Sequence, residues 1–185
     1  MNAARVLTVN VGLPRDVVFG KRRMRTAILK DPTQGAVPLR RLGFEGDGQA
    51  DPRYHGGPDK AAYLYPFEHY AYWAEVLGRK DLSPGAFGEN LTTEGLLEAD
   101  ARIGDIYEIG TARVAVTRPR TPCAKLGAKF GSMTFVRTFA AAGRPGFYLR
   151  VLQEGMVEAG DAITRISTDP ARPTVADVYE RASGA

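Results

Sequence analysis

The stretch IGDIYEIGTARVAV, residues 103–116, holds two strand-length pieces, 106–109 and 113–116, parted at Gly110. Both are short and dominated by Ile, Val, Tyr and Ala, as expected of strands in a barrel or sandwich. Its opening returns as AGDAITRI at residues 159–166. Gly-Asp pairs stand at 46–47, 104–105 and 160–161, near strand joints. Glycine supplies the turn there, and the short aspartate can accept from nearby backbone N–H groups. Asp105 and Asp161 read as turn residues, whereas Asp47 sits in a richer neighbourhood.

The same reading extends outward. Residues 6–11 alternate Leu7, Val9 and Val11 against Val6, Thr8 and Asn10, and further strand-like pieces fall at 17–19, 23–28, 37–42, 61–65, 90–92, 147–152 and 162–166. Gly and Pro mark most joints, the spacing of a β-barrel or sandwich. Three segments carry a helical period instead. After Pro66, residues Phe67, Tyr70, Trp73, Ala74 and Leu77 recur on one face until Gly78; a second run from Ser132 places Phe135, Val136, Phe139 and Ala140 together until Gly143. The third is capped by Thr174 with Asp177, and Val175, Val178 and Tyr179 form its packing face. The expectation is a mainly β fold, a closed β-barrel with a few packed helices, spanning 1–170 as one domain with a short helical tail over 171–185.

With 185 residues and 20.1 kDa the chain can bury a real core without staples. Apolar residues at 44% and charged residues at 25% exclude disordered, collagenous and fibrous classes. The longest run free of Asp, Glu, Lys and Arg is 6–14, far short of the ~20 residues that span a bilayer. The opening MNAARVLTVNVG lacks the features of a secretory leader, so the cytoplasm is the expected compartment and no membrane association is expected. Cys123 is the single cysteine, which excludes an internal disulfide and a multi-cysteine zinc site. Net charge is only +4, a weak case for nucleic acid, and no nucleic-acid module is visible. Basic segments at either end of the chain flank an acidic one over 61–110, and one fold could gather them around an anion.

Four clusters could carry chemistry. Cys123 lies in RPRTPCAK, 118–125, where Arg118, Arg120 and Lys125 would favour a thiolate, the form needed by a nucleophile or a soft-metal ligand. The run GDGQADPRYHGGPDK, 46–60, suits neither strand nor helix; Gly56 and Gly57 could let backbone N–H groups approach an oxygen-rich ligand beside His55 and Lys60. In GAFGENL, 85–91, Phe87 could anchor the loop while Glu89 or Asn90 faces a site. Lys21, Arg22, Arg23 and Arg25 form a dense basic patch, with Arg23 and Arg25 on one face of a strand, where they could meet phosphate or only water. His69 lies beside the apolar helical face and reads as a packing or capping residue.

These clusters, in order, resemble the MOSC domain family, in particular its small stand-alone YiiM-like bacterial branch. The pieces that carry the likeness are TAILKDP (26–32), LGFEGDGQADPRYHGGPDKAAYLYP (42–66), GAFGENLTTEGL (85–96), IGDIYEIG (103–110), RPRTPCAKL (118–126) and GFYLRVLQEGMVEAGD (146–161). The resemblance implies a MOSC-type β-barrel and molybdenum-cofactor (molybdopterin) chemistry, with Cys123 after Arg120 as molybdenum ligand or sulfur carrier. Lys30 holds the position assigned to the cofactor phosphate, although Ala27 replaces the family glycine. His55, Lys60, Glu89 and Asn90 match further polar elements, with Arg118 and Arg120 adding cationic charge; Glu89 and His55 are the candidates for assisting protonation.

The activity so implied is a reductase component for N-hydroxylated compounds such as hydroxylated base analogues. No flavin, haem, iron–sulfur or pyridoxal-phosphate motif is evident, so an external electron-donor protein is implied. Two alternatives stand beside it. One is a sulfur carrier in which a Cys123 persulfide, charged by a sulfur donor or desulfurase, serves metal-cofactor sulfuration; the other is a non-enzymatic cofactor storage or delivery module.

Overall fold

The structure, a computed structural model, describes residues 3–50 and 56–183. In chain order the strands are β1 (Arg5–Val11), β2 (Arg15–Phe19), β3 (Arg22–Thr26), β4 (Asp31–Pro32), β5 (Val37–Arg40), β6 (Gly43–Phe44), β7 (Ala62–Pro66), β8 (Leu91–Glu94), β9 (Ile106–Ile109), β10 (Ala112–Pro119), β11 (Phe147–Gln153), β12 (Gly155–Val157) and β13 (Ile163–Ser167). The helices are α1 (Glu68–Leu77), α2 (Ala124–Lys129), α3 (Thr134–Ala141) and α4 (Val175–Ser183), with a 3-10 turn at Pro58–Lys60.

The main sheet has eight strands in the order β13-β9-β10-β11-β7-β8-β1-β4. All neighbours are antiparallel except β7 and β8, which run parallel with α1 in the connection between them. A parallel pair needs a crossover, and the helical period after Pro66 is that crossover. The fold is thus mixed and sheet-dominated, with four helices packed on it among the described residues. The pairing order keeps two ends, β13 and β4, so the ladder itself is not a closed ring. It nevertheless coils back: Val6 N–H donates to Asp161 O at 2.9 Å, Gly160 N–H to Val6 O at 2.8 Å, and Ile163 N–H to Ala4 O at 2.8 Å. The segment before β13 therefore reaches β1 from the opposite side.

Two apolar clusters fill the interior. Val6, Val9, Leu39, Leu64, Leu91, Ile109, Val114 and Leu149 form the sheet core, each at most 1% exposed. The second is aromatic and lies under α1 and α3: Tyr63, Tyr65, Trp73, Phe87, Phe135 and Phe139, with Trp73 stacked on Phe139 at 5.0 Å and 6°. The tail helix docks on the body, burying Val175 and Tyr179 and donating from Tyr179 Oη to Ala140 O at 2.9 Å. His69 is buried as expected of a packing residue, its Nε2 2.8 Å from Glu98 Oε2 and its Nδ1 3.2 Å from Arg144 Nη1.

Some boundaries differ from the sequence reading, for local reasons. The strand expected over 23–28 ends at Thr26, whose hydroxyl accepts the Ile28 N–H at 3.1 Å and turns the chain away. After Pro122-Cys123 the chain enters α2, a helix absent from the sequence reading; Cys123 itself stays extended at φ −139° and stands just outside the helix as its N-cap. Among the described residues no helix is long and apolar enough to cross a membrane.

Candidate functional site

Loops from one end of the sheet converge on a cleft with a cavity volume of about 100 Å³ that opens to solvent. Thr26 at the end of β3 is followed by Ala27, Ile28 and Lys30; Asp47 to Ala50 come from the segment after β6, Lys60 and Tyr63 from the entry to β7, and Gly88 and Asn90 from the segment before β8. Arg120, Thr121 and Cys123 follow β10, Lys125 lies on α2, and Tyr148 on β11 completes the wall. Lys30, Lys60, Asn90, Arg120 and Cys123 are thus brought together from four segments of sequence. Arg118 is exposed and does not line the cleft, though its charge acts on Lys60. His55 lies outside the described residues.

Glu89 is fully buried and off the cleft wall. Its Oε1 accepts from the Tyr70 hydroxyl, from Gly85 N–H at 2.8 Å and from Thr92 Oγ1 at 2.9 Å, and its Oε2 accepts from Phe87 N–H at 3.0 Å. The carboxylate holds the GAFG turn against the crossover helix. That turn needs its glycines: Gly88 has φ +83°, and a Cβ there would fall 2.6 Å from Ile28 Cγ1. The close approach is what lets the loops 26–30 and 85–90 share one wall.

Asp47 is the hub that links the loops. It pairs with Lys30, accepts Gly12 N–H at 2.9 Å, and accepts Asn90 Nδ2 at 2.8 Å. Asn90 also donates to Asn10 O at 3.2 Å and accepts Tyr63 N–H at 3.1 Å, so its polar atoms are committed to protein. Its role in the cleft is to hold Asp47 and β7 in place. Burial pushes Lys30 below the ordinary lysine range, with Asp47 and then Glu89 opposing the shift. Burial and the neighbouring Arg118 likewise lower Lys60, while Cys123 works against them.

Arg120 is the least satisfied group of the site. It is 4% exposed, and its Nη1 is buried without a hydrogen-bond partner. The guanidinium carbon lies 5.2 Å from the Tyr63 ring centre and 5.3 Å from that of Phe139, so the aromatic cluster walls it on two sides. A buried guanidinium N–H without an acceptor costs on the order of 1–3 kcal/mol, a cost that an anionic ligand would remove. The half-buried Cys123 lines the same cleft.

Among the described residues there is no group of three or more His, Cys, Asp or Glu able to hold a metal ion. With these residues alone, a metal held by Cys123 would depend on ligands that it brings with it. That requirement suits a metal already chelated by a pterin dithiolene, and the cations of the cleft suit the phosphate such a group carries. The residues present fit the molybdenum cofactor in donor chemistry.

Sequence reasoning passed over two groups. Asp47 shows in the sequence only as part of a Gly-Asp pair in a rich neighbourhood, and its partners stand 17, 35 and 43 positions away. Lys129 was not singled out at all. Its Nζ donates to Ile28 O at 3.1 Å and to Gly85 O at 2.6 Å, tying the two wall loops together. Burial pushes it down to about 8, with Glu89 opposing and Lys30 assisting. The unfolded chain keeps that proton up to about pH 10.4, so from about pH 8 upward the unfolded state binds more protons and stability rises with pH. Urea unfolding of the native chain and of Lys129→Met is expected to show the native-minus-variant stability growing by about 2–3 kcal/mol between about pH 7 and about pH 10. A difference that stays flat would refute this ionisation.

The MOSC domain sequence pattern matches residues 51–164 of the chain. YflK of Bacillus subtilis, described as uncharacterised, is 48% identical over 162 residues, 88% of this chain and 73% of that protein. A protein of Gibberella moniliformis named Reductase is 37% identical over 142 residues, 75% of this chain but 25% of its own length. The crystal structure of YiiM from Geobacillus stearothermophilus superimposes with a TM-score of 0.80 at 34% identity, covering 97% of this chain and 84% of that one.

Proposed function

This chain belongs to the MOSC domain family, which is associated with the molybdenum cofactor, and from that premise we propose that it binds molybdopterin and is the reductase component for N-hydroxylated compounds. The observation that carries the reading is the cleft in which the Cys123 side chain and the Arg120 guanidinium, its Nη1 without an acceptor, share a wall with Lys30 and Lys60. In this reading the coiled sheet is the MOSC-type barrel, and its loop end is the cofactor mouth. The matched stretch is a quarter of the relative named Reductase, so the activity named there belongs to a much longer chain, and its electrons need not originate in the shared domain.

Each residue has a physical task. Arg120 and Lys30 neutralise the phosphate, which must compete with Asp47 for Lys30. Cys123 supplies a soft thiolate ligand. When bound, the cofactor supplies the two-electron redox change that cleavage of an N–O bond requires. The balanced reaction is R–NHOH + 2 e⁻ + 2 H⁺ → R–NH₂ + H₂O, with both electrons drawn from a separate donor protein. Lys60 Nζ is a wall group suited to surrender a proton, because burial and Arg118 make it a stronger acid than an ordinary lysine.

Protein purified from a cofactor-competent cell is expected to carry molybdenum and pterin near one per chain. Supplied with reduced methyl viologen, it is expected to convert an N-hydroxylated purine to the amine, while cofactor-free protein does not. Bound molybdenum without amine formation would leave storage or delivery. Metal-free protein bearing a transferable Cys123 persulfide would select sulfur carriage.

A further inference from the structure

The strand pair β2–β3 is a basic feature that the cleft does not absorb. It forms its own two-stranded sheet, outside the pairing of the main sheet, with the register Asp16↔Arg25, Val17↔Met24 and Val18↔Arg23. Cross-strand partners share a face, so the ribbon has two unlike sides. One carries the half-buried Val17 and Met24 and ends on the buried Thr26, toward the body. The other presents Asp16, Val18, Arg23 and Arg25, all exposed, with Val18 at 74%. Lys21 is exposed at the tip. Asp16 is paired with Arg23 at 2.9 Å, whereas Lys21 and Arg25 take part in no ion pair among the described residues.

The ribbon is anchored at the cleft. β3 ends at Thr26 and runs directly into Ala27 and Ile28, and all three form part of the cleft wall. Arg23 lies three residues from Thr26, at most about 11 Å of chain. A body resting on the outer side of the ribbon would therefore lie at the mouth beside the cofactor loops.

We propose that the outward face of the β2–β3 ribbon is the docking surface for an acidic electron-donor protein. The inference rests on the reductase reading, because only a reaction consuming two electrons requires such a donor. The chemistry of the face selects the partner class. Unpaired cations beside an exposed valine suit a protein surface of opposite charge, where arginine and apolar area are used together. A phosphodiester chain would draw nothing from Val18 and would meet Asp16 beside the cations. A five-residue ribbon also offers the small contact typical of transient redox encounters, below ~1,200 Å².

The test uses the full chain carrying Lys21→Glu and Arg25→Glu together, with reduced flavodoxin, an acidic flavin protein, as the donor probe. With native protein, kcat/KM for flavodoxin is expected to fall steeply as salt rises; in the double variant it should drop about tenfold or more at low salt and lose most of its salt dependence. Titration calorimetry with oxidised flavodoxin should show the same loss of affinity, a readout that needs no turnover. Turnover with reduced methyl viologen should be unchanged, since that small donor needs no docking face. Equal flavodoxin kinetics and affinity in native and variant protein, or no flavodoxin binding by either, would overturn the docking face while viologen turnover kept the reductase reading intact. Failure of viologen turnover in native protein would remove the reductase reading and with it the donor role. Loss of binding to a DNA duplex or to anionic vesicles, with flavodoxin affinity unaltered, would assign the ribbon to a polyanion and overturn the proposal.

Discussion

Replacing Cys123 by serine is expected to abolish reduction of an N-hydroxylated substrate while leaving the fold intact. The two halves of that expectation have separate physical grounds. Cys123 is half-buried at the mouth of α2, with an extended backbone at φ −139° and ψ 173°, and its carbonyl accepts the Leu126 N–H at 2.9 Å. Serine is among the favoured residues at such a cap, so the melting temperature should stay level or rise slightly. The chemistry has no such tolerance. A hydroxyl at neutral pH is neither a soft anion nor a sulfur carrier. Loss of residues that merely orient metal ligands costs about 10–100-fold, so loss of the ligand itself should exceed ~100-fold in turnover. Molybdenum content by mass spectrometry and amine formation would be measured together. Pterin retained through Lys30 and Arg120 with metal chemistry lost is the expected result; turnover within twofold of native would remove the thiolate from the mechanism.

How much of this was legible before the fold was known depends on the range over which the residues act. The pieces at 106–109 and 113–116 pair as β9 and β10 because their pattern and the Gly110 joint are local information. The helix after Pro66 was equally visible, since its face of Tyr70, Trp73 and Leu77 repeats at helical spacing and its closing glycine takes φ +61°. Short or long-range features were not. α2 has six residues, too few to display a period, and it follows prolines that signal a break. Pairing of β7 with β8 in parallel rather than as a hairpin cannot be read from either strand. The cleft's membership was readable for Cys123, Arg120, Lys30 and Lys60 through family resemblance. The bonds that place those residues were hidden, because Asp47, Asn90 and Asn10 meet only after the sheet has coiled.

The same distinction gives Glu89→Gln its force, because sequence position suggested chemistry for this residue while its surroundings assign it a load to hold. All four neighbours of the carboxylate are donors: the Tyr70 hydroxyl, the Gly85 and Phe87 N–H groups and Thr92 Oγ1. A glutamine offers one acceptor oxygen and one NH₂ group, so whichever way it turns, an N–H faces at least one buried donor. Hydrogen bonds to a charged group are worth about 1.5–3 kcal/mol each, and a donor left unpaired adds its own desolvation. The variant is therefore expected to lose about 2–4 kcal/mol, which for a chain of this size lowers the melting temperature by about 5–15 °C. Glu94→Gln makes the identical chemical change at a partly exposed ion pair with Arg5 and should cost less than ~1 kcal/mol. Thermal unfolding of both variants alongside turnover separates structure from catalysis. A Glu89→Gln protein that melts with the native chain but fails to reduce substrate would make the carboxylate a proton-transfer group; one that melts early and retains its activity at a temperature where it is folded would confirm that Glu89 holds the turn on which Asn90 and the cleft wall are built.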